Sequence, residues 1–199
     1  MPQVEDFLRD LDRRWAPPLP APLTLRVLGS TALLLQTDYV RGTKDGDVLE
    51  TPEITPVVSA ALLRLGGKET ELHVRHRMYL EILAAAFPFL PDAPGWRAVS
   101  FDPPLSRLGV EALDVTDVCV AKLARFHRTD RDDIAAMVER GLVGPERLVE
   151  RFRSAAERWH FDARGDDLPR IIRNLHQVQR DELGVEESEI ELPAWLSPD

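Results

Sequence analysis

Apolar residues recur at helical spacing at Val4, Phe7, Leu8, Leu11 and Trp15, which predicts an amphipathic helix at the head of the chain. The segment APPLPAPL then imposes an extended connector, because each proline fixes its own φ and restricts the residue before it. In LTLRVLG the pattern changes to alternation, with Leu23, Leu25 and Val27 against Thr24 and Arg26, and reads as a strand ending at Gly29. TALLLQ reads as a short helix with Ser30 placed as its N-cap. After a loop over Tyr39 to Lys44, residues Asp45 to Leu49 read as a second strand, which Gly46 is expected to weaken.

Thr55-Pro56 opens a helix carrying Val57, Val58, Ala61, Leu62 and Leu65, and Gly66-Gly67 stops it. A further helix over Glu69 to Arg77 leads into MYLEIL, a third strand with one acid at its middle, and the apolar PFLP follows. WRAVSF and GVEALDV read as two strands able to form a hairpin. Beyond Thr116 the spacing is helical throughout. Helices are expected over Val118 to Phe126, around Ile134 to Val138, from Pro145 to Trp159, and from Leu168 to Leu183. Strands mixed with helices come first and helices alone come last, which implies an α+β (or α/β) core followed by a helical bundle.

Composition narrows the class further. The 199 residues carry 25 Lys+Arg against 34 Asp+Glu, a formal net charge of −9, with 44% hydrophobic residues, the profile of an ordinary globular chain. One cysteine, Cys119, excludes an internal disulfide and a cysteine-built zinc site, and its apolar neighbours mark it as a buried small hydrophobe. The first fifteen residues do not read as a signal peptide, and TALLLQ is too short to cross a bilayer, so a cytoplasmic protein without membrane contact is expected. Net negative charge argues against wrapping nucleic acid by bulk electrostatics. The acids are unevenly placed, however. Asp181 to Asp199 holds seven acids and no Lys or Arg, whereas Lys122, Arg125, Arg128 and Arg131 recur every third residue and could line a nucleic-acid path.

The chemistry concentrates in LTLRVLGSTALLLQTDYVRGTKDGDVLE. Gly29-Ser30 at a helix start offers backbone N–H groups and a hydroxyl at the positive end of a helix dipole, and suits phosphates. Asp45 and Asp47, two apart on a strand, point the same way with Cα atoms about 6.5 Å apart. Two such carboxylates repel unless a cation sits between them, and Mg²⁺, with Mn²⁺ as substitute, is the natural oxygen-bound choice. With 34 acids in the chain, about six acid-x-acid pairs arise by chance, so the pair alone carries nothing. The signal is the combination with the preceding strand, Gly-Ser corner and helix. An anion cradle beside paired carboxylates is the equipment of nucleotidyl transfer, in which metal activates the attacking hydroxyl and neutralises the leaving pyrophosphate.

These residues resemble a known family. GSTALLL…RGTKDGDV is similar to the minimal bacterial branch of the nucleotidyltransferase fold that includes AbiEii-type toxins of toxin–antitoxin systems. The matching positions are Gly29, Ser30, Arg41, Thr43, Asp45 and Asp47, and Gly46 departs from the apolar residue usual between the aspartates. VTDVCVAKLARFHRTDRDDI is similar to the later family segment, through Lys122, Arg125, Asp130 and Asp133. The resemblance covers about Leu23 to Gly141. It implies a mixed-sheet nucleotidyltransferase core that moves an NMP from an NTP to an acceptor hydroxyl, on a tRNA or other RNA end or on a protein, with a cognate antitoxin as partner. The implied organisation is an N-terminal helix and connector over 1–22, the core over 23–115, a helical region over 116–185 and an acidic tail over 186–199.

In this reading Asp45 and Asp47 hold the metal with Glu81 of MYLEIL as third carboxylate, for which Asp102 and Asp114 compete. Gly29, Ser30, Arg41 and Thr43 bind the nucleotide. Lys122 neutralises phosphate charge, and Asp133 pairs with Lys122 or Arg125 to orient it. Asp130 and Asp132 suit a helix N-terminus through the dipole alone. His73, His76, His127, His160 and His176 read as surface residues. The alternative is a catalytically idle relative that binds a partner protein.

Overall fold

The computed structural model describes residues 2–16, 22–159 and 167–191. Among them lie eight helices and one five-stranded sheet, and the fold is α+β as the sequence pattern implies. In chain order the elements are α1 (Pro2–Arg14), β1 (Leu23–Val27), α2 (Gly29–Gln36), β2 (Asp45–Leu49), α3 (Pro56–Gly66) and α4 (Glu71–His76). They continue with β3 (Tyr79–Leu83), β4 (Trp96–Ala98), β5 (Leu108–Leu113), α5 (Val115–Arg125), α6 (Arg128–Glu139), α7 (Pro145–Trp159) and α8 (Leu168–Asp181). The chain divides into two compact units, Met1–Pro88 with Trp96–Asp114, and Phe89–Gly95 with Val115–Asp199.

The first unit is built on the sheet, in the order β3-β2-β1-β5-β4. β1 runs antiparallel to β2 and parallel to β5, β2 runs parallel to β3, and β4 with β5 form the antiparallel pair expected for WRAVSF and GVEALDV. β1 and β5 alternate buried and half-buried positions, so their sequence alternation sets which face enters the core. The apolar face of α1 is the predicted one, and Val4, Phe7, Leu8, Leu11 and Trp15 are all buried. α1 is fastened by an acid that periodicity does not flag. Asp12 accepts backbone N–H bonds from Ser106 (3.0 Å), Arg107 (2.8 Å) and Leu108 (2.8 Å), and the Ser106 hydroxyl also donates to it. Burial raises the Asp12 pKa, but these donors outweigh it and hold the carboxyl below its ordinary value.

Three expectations change here. The first helix after β1 starts at Gly29 with Leu28 as N-cap and no side-chain cap, so Ser30 lies inside the first turn rather than capping it. Gly46 does not break β2, which keeps five consecutive pairs with β3. Gly46 is buried, and a Cβ there would lie 2.8 Å from the Met78 methyl, so the small residue fits the packing. His76 is also not a surface residue: it is 11% exposed, sits edge-on to Phe7, and its Nε2 lies 2.7 Å from Asp10.

In the second unit α5 packs on α6, α7 and α8, with Val118, Cys119, Leu123, Phe152 and Leu175 buried. The apolar PFLP supplies Phe89, whose ring meets Phe152 and Trp159 edge-on at 5.5 and 5.3 Å. The start of the acidic tail is fastened: Gln179 donates to the Ser188 hydroxyl (2.8 Å) and accepts from the Ser188 amide (3.1 Å), while Arg153 donates to the Glu189 carbonyl (2.9 Å). Most of the Pro-rich connector, His160 and the tail beyond Glu191 lie outside the described residues.

Replacing Asp12 by alanine strands three buried-side amide donors. It is expected to lower unfolding free energy by about 2–4 kcal/mol in a denaturant titration, with the m-value unchanged.

Candidate active site

β2 carries Asp45 and Asp47 on one side of the strand, and the parallel register sets Asp47 opposite Glu81 on β3. One carboxylate oxygen from each of Asp45, Asp47 and Glu81 lies within 4.8 Å of the others. Asp47 is half-buried and Glu81 exposed. The three acids are hard oxygen donors of the kind that hold Mg²⁺ or Mn²⁺. Their competitors for the third position do not join them. Asp114 accepts from Arg97 at 2.8 Å, and Asp102 lies in the loop after β4.

The Gly-Ser corner abuts this cluster. Leu28 N–H donates to the Asp47 carbonyl (3.0 Å), which brings the end of β1 beside β2. Gly29 turns the chain with φ +63°, a left-handed conformation that glycine adopts without cost. A Cβ on Gly29 would stand 2.7 Å from Asp47 Oδ2, so backbone and carboxylate meet there with no room for a side chain. Leu28 at the N-cap makes no side-chain bond to the first turn of α2, which begins at Gly29.

The loop before β2 completes the wall. Thr43 Oγ1 donates to Asp45 Oδ1 (3.1 Å) and to the Asp45 carbonyl (3.1 Å), and Thr31 Oγ1 donates to that same carbonyl (2.9 Å). The Arg41 guanidinium donates to the Ser30 hydroxyl. Thr31 escaped the sequence reading, and its place in the first turn after Gly29-Ser30 was the available signal. Tyr79, beside Asp45 in the ladder, was missed as well. Burial raises its phenol pKa, and the negative charge of Asp45, Glu81 and Asp47 adds to that rise.

Residues 18–164 match the family described as a nucleotidyltransferase of unknown function, DUF6036. The chain belongs to this nucleotidyltransferase family. The match runs from before β1 to beyond α7 and does not single out the AbiEii-type branch. No curated protein and no solved structure shows significant similarity to the chain.

The later family segment that carries Lys122 and Asp133 lies in the second unit of this nucleotidyltransferase. Lys122, 5% exposed, sits 2.7 Å from Asp133 and 3.2 Å from Asp130. Arg125 reaches Asp130 with two nitrogens at 2.8 Å, and the His127 amide donates to the same carboxylate at 3.0 Å. Asp130 thus does more than face a helix dipole. It ties the end of α5 to the start of α6 across Phe126, which adopts φ +53°. The break places Lys122 and Arg125 on α5 and Arg128 and Arg131 on α6, so the four do not form one helical stripe. Burial raises the Asp130 pKa, but the bonds and charge of Arg125 and Lys122 prevail and hold it at about 2.

Because the folded-state pKa lies below the unfolded one, the stabilisation by Asp130 is complete above about pH 4 and disappears as pH falls towards 2; it amounts to about 2 kcal/mol. Asp130→Asn is expected to flatten the acid limb of a melting-temperature profile across that range. Lys122→Met leaves two buried carboxylates facing each other and is expected to cost about 3–5 kcal/mol at neutral pH, measured by chemical denaturation.

Proposed function

We propose that this protein transfers a nucleoside monophosphate from an NTP to an acceptor hydroxyl, with a divalent cation held by Asp45, Asp47 and Glu81. The observation that carries the reading is the close approach of the Gly29 corner to Asp47, where a Cβ would stand 2.7 Å from Oδ2, beside a cluster of three carboxylates whose ligand atoms lie within 4.8 Å of one another. Membership of a nucleotidyltransferase family supports it independently.

The first-turn N–H groups after Gly29, the Ser30 hydroxyl and Arg41 orient the triphosphate, and Thr43 fixes the Asp45 carboxylate through its hydroxyl. Magnesium or manganese, when bound, supplies Lewis-acid activation of the attacking hydroxyl and neutralises charge on pyrophosphate. The acceptor oxygen bonds to the α-phosphorus as the α–β bridging P–O bond breaks. Pyrophosphate leaves with that electron pair, and the hydroxyl proton passes to water. Lys122 and Asp133 serve the second unit as a buried ion pair in this reading, rather than as phosphate contacts. The resemblance to AbiEii-type toxins supports a toxin role with a cognate antitoxin, and tRNA or a protein as acceptor.

Transfer of label from an α-³²P NTP is the test. Asp45→Asn and Asp47→Asn are each expected to reduce it about 10²–10³-fold, the scale of removing one charge-stabilising group at a reacting centre. Full transfer by either variant would falsify the assignment. In a thermal-shift assay, Mg²⁺ with NTP is expected to raise the melting temperature of the wild type and to leave Asp47→Asn unmoved.

A further inference from the structure

A cavity adjoins the carboxylate cluster at Thr43 within the first unit. It has a volume of about 520 Å³ and is lined by Gln3, Gly42, Thr43, Lys44, His73, Val74 and Arg77. That volume suits a nucleotide-sized group. Gln3 from α1 closes one side by donating to the carbonyls of His76 (2.8 Å) and Thr43 (3.4 Å).

The lining carries positive charge in a chain whose net charge is −9. Lys44 and Arg77 are exposed, and neither has an ion-pair partner among the described residues. His73 accepts from the Glu69 amide on Nδ1 (2.9 Å), which fixes the proton on Nε2 and makes that edge of the ring a donor. Lining acids are absent among the described residues of this cavity. The wall therefore offers an anion two cations and an imidazole N–H, while the Thr43 hydroxyl is engaged with Asp45.

Its position relative to the cluster gives the site a role. Thr43 lines the cavity and also donates to Asp45 Oδ1, while Lys44 precedes Asp45 and its carbonyl accepts from the Tyr79 amide (2.9 Å). The cavity thus adjoins Asp45 through Thr43, while the Gly29 corner stands against Asp47 and its next turn reaches the Asp45 carbonyl through Thr31. A displacement at phosphorus needs the attacking and leaving oxygens on opposite sides of the reacting atom. With the triphosphate on the corner, a group seated in this cavity reaches the cluster at Asp45 through the Thr43 segment.

We infer that the cavity of Thr43, Lys44, His73 and Arg77 is the acceptor subsite, and that the acceptor carries a phosphate group near its reacting hydroxyl. The inference rests on the transferase reading above and narrows the acceptor class. A phosphodiester in a nucleic acid and a phosphomonoester on a small molecule share this chemistry, and the test separates them.

The experiment uses the full chain, with a fluorescein-labelled single-stranded oligonucleotide and, separately, a nucleoside 5′-monophosphate as probes. Direct binding is followed by anisotropy for the first and by calorimetry for the second, without NTP. Lys44→Ala/Arg77→Ala is expected to weaken binding of the preferred probe at least tenfold and to lower the salt slope of oligonucleotide binding by about two. In transfer assays the same variant raises the acceptor KM tenfold or more and leaves the NTP KM within twofold. Binding of the oligonucleotide alone identifies a diester source, and of the monophosphate alone a monoester source. Equal binding by variant and wild type, binding of neither probe, or transfer to an unphosphorylated peptide at undiminished rate would each overturn the subsite. Probe binding that depends on Lys44 and Arg77 in a protein that never transfers label would retain a phosphate site and defeat the transferase reading instead.

Discussion

Three carboxylates are held together on two strands that cannot relax apart. Asp47 and Glu81 are partners across the parallel β2–β3 ladder, and Asp45 projects from the same side of β2 two residues earlier. Exposed acids on flexible loops would separate to reduce repulsion. Here backbone hydrogen bonds on both strands fix the Cα positions, so the three acids stay close to one another. The raised pKa of Tyr79, caused first by burial and then by these three acids, is a sign of their combined charge. The Gly29 corner, the Thr43 hydroxyl and the cationic cavity are arranged around that charge.

Elsewhere the protein treats acids differently. Asp10 receives Arg75 and His76, with Arg13 also bound to it, and its carboxyl is held at about 2 although burial alone would raise it. Asp12 takes backbone amides, and Asp117 takes Arg151 at 2.6 Å together with the Gly95 amide at 2.7 Å. Asp130 takes Lys122, Arg125 and a backbone amide. In each case donors compensate the desolvated charge, and the acid becomes a joint between elements. The Asp45 carboxylate accepts from the Thr43 hydroxyl at 3.1 Å, and Glu81 faces solvent. The clustered triad differs from these joints in that its three acids lie beside one another, which is the arrangement the proposed cation site requires.

The cavity follows from the same economy of charge. Gly42, Thr43 and Lys44 form the strand-entry loop, so one short segment serves two neighbouring surfaces. Arg77, in a left-handed conformation at the end of α4, supplies a cation from a separate part of the chain.

Periodicity and alternation were enough to read most of the secondary structure, because burial of one face imposes period 3.6 on α1, α7 and α8 and period 2 on β1 and β5. The Gly-Ser corner, Asp45 and Asp47 were readable for a local reason: a strand, a tight turn and a same-facing pair are all specified between Leu23 and Asp47. Glu81 was readable as the preferred of three candidate acids from its place in the middle of a strand after a helix, and strand register sets it beside Asp47. Local pattern meets its limit at Lys122, whose spacing with Arg125, Arg128 and Arg131 suggested a basic stripe. The left-handed Phe126 ends the helix and turns two of those cations onto Asp130. By itself the sequence determined the α+β class, the corner and the aspartate pair, because these depend on neighbours along the chain. The third carboxylate, the anchoring of Asp12 and Asp130, and the cationic cavity were decided only by tertiary structure. Each joins residues far apart in sequence, and pairing geometry rather than local pattern chooses between equally charged candidates.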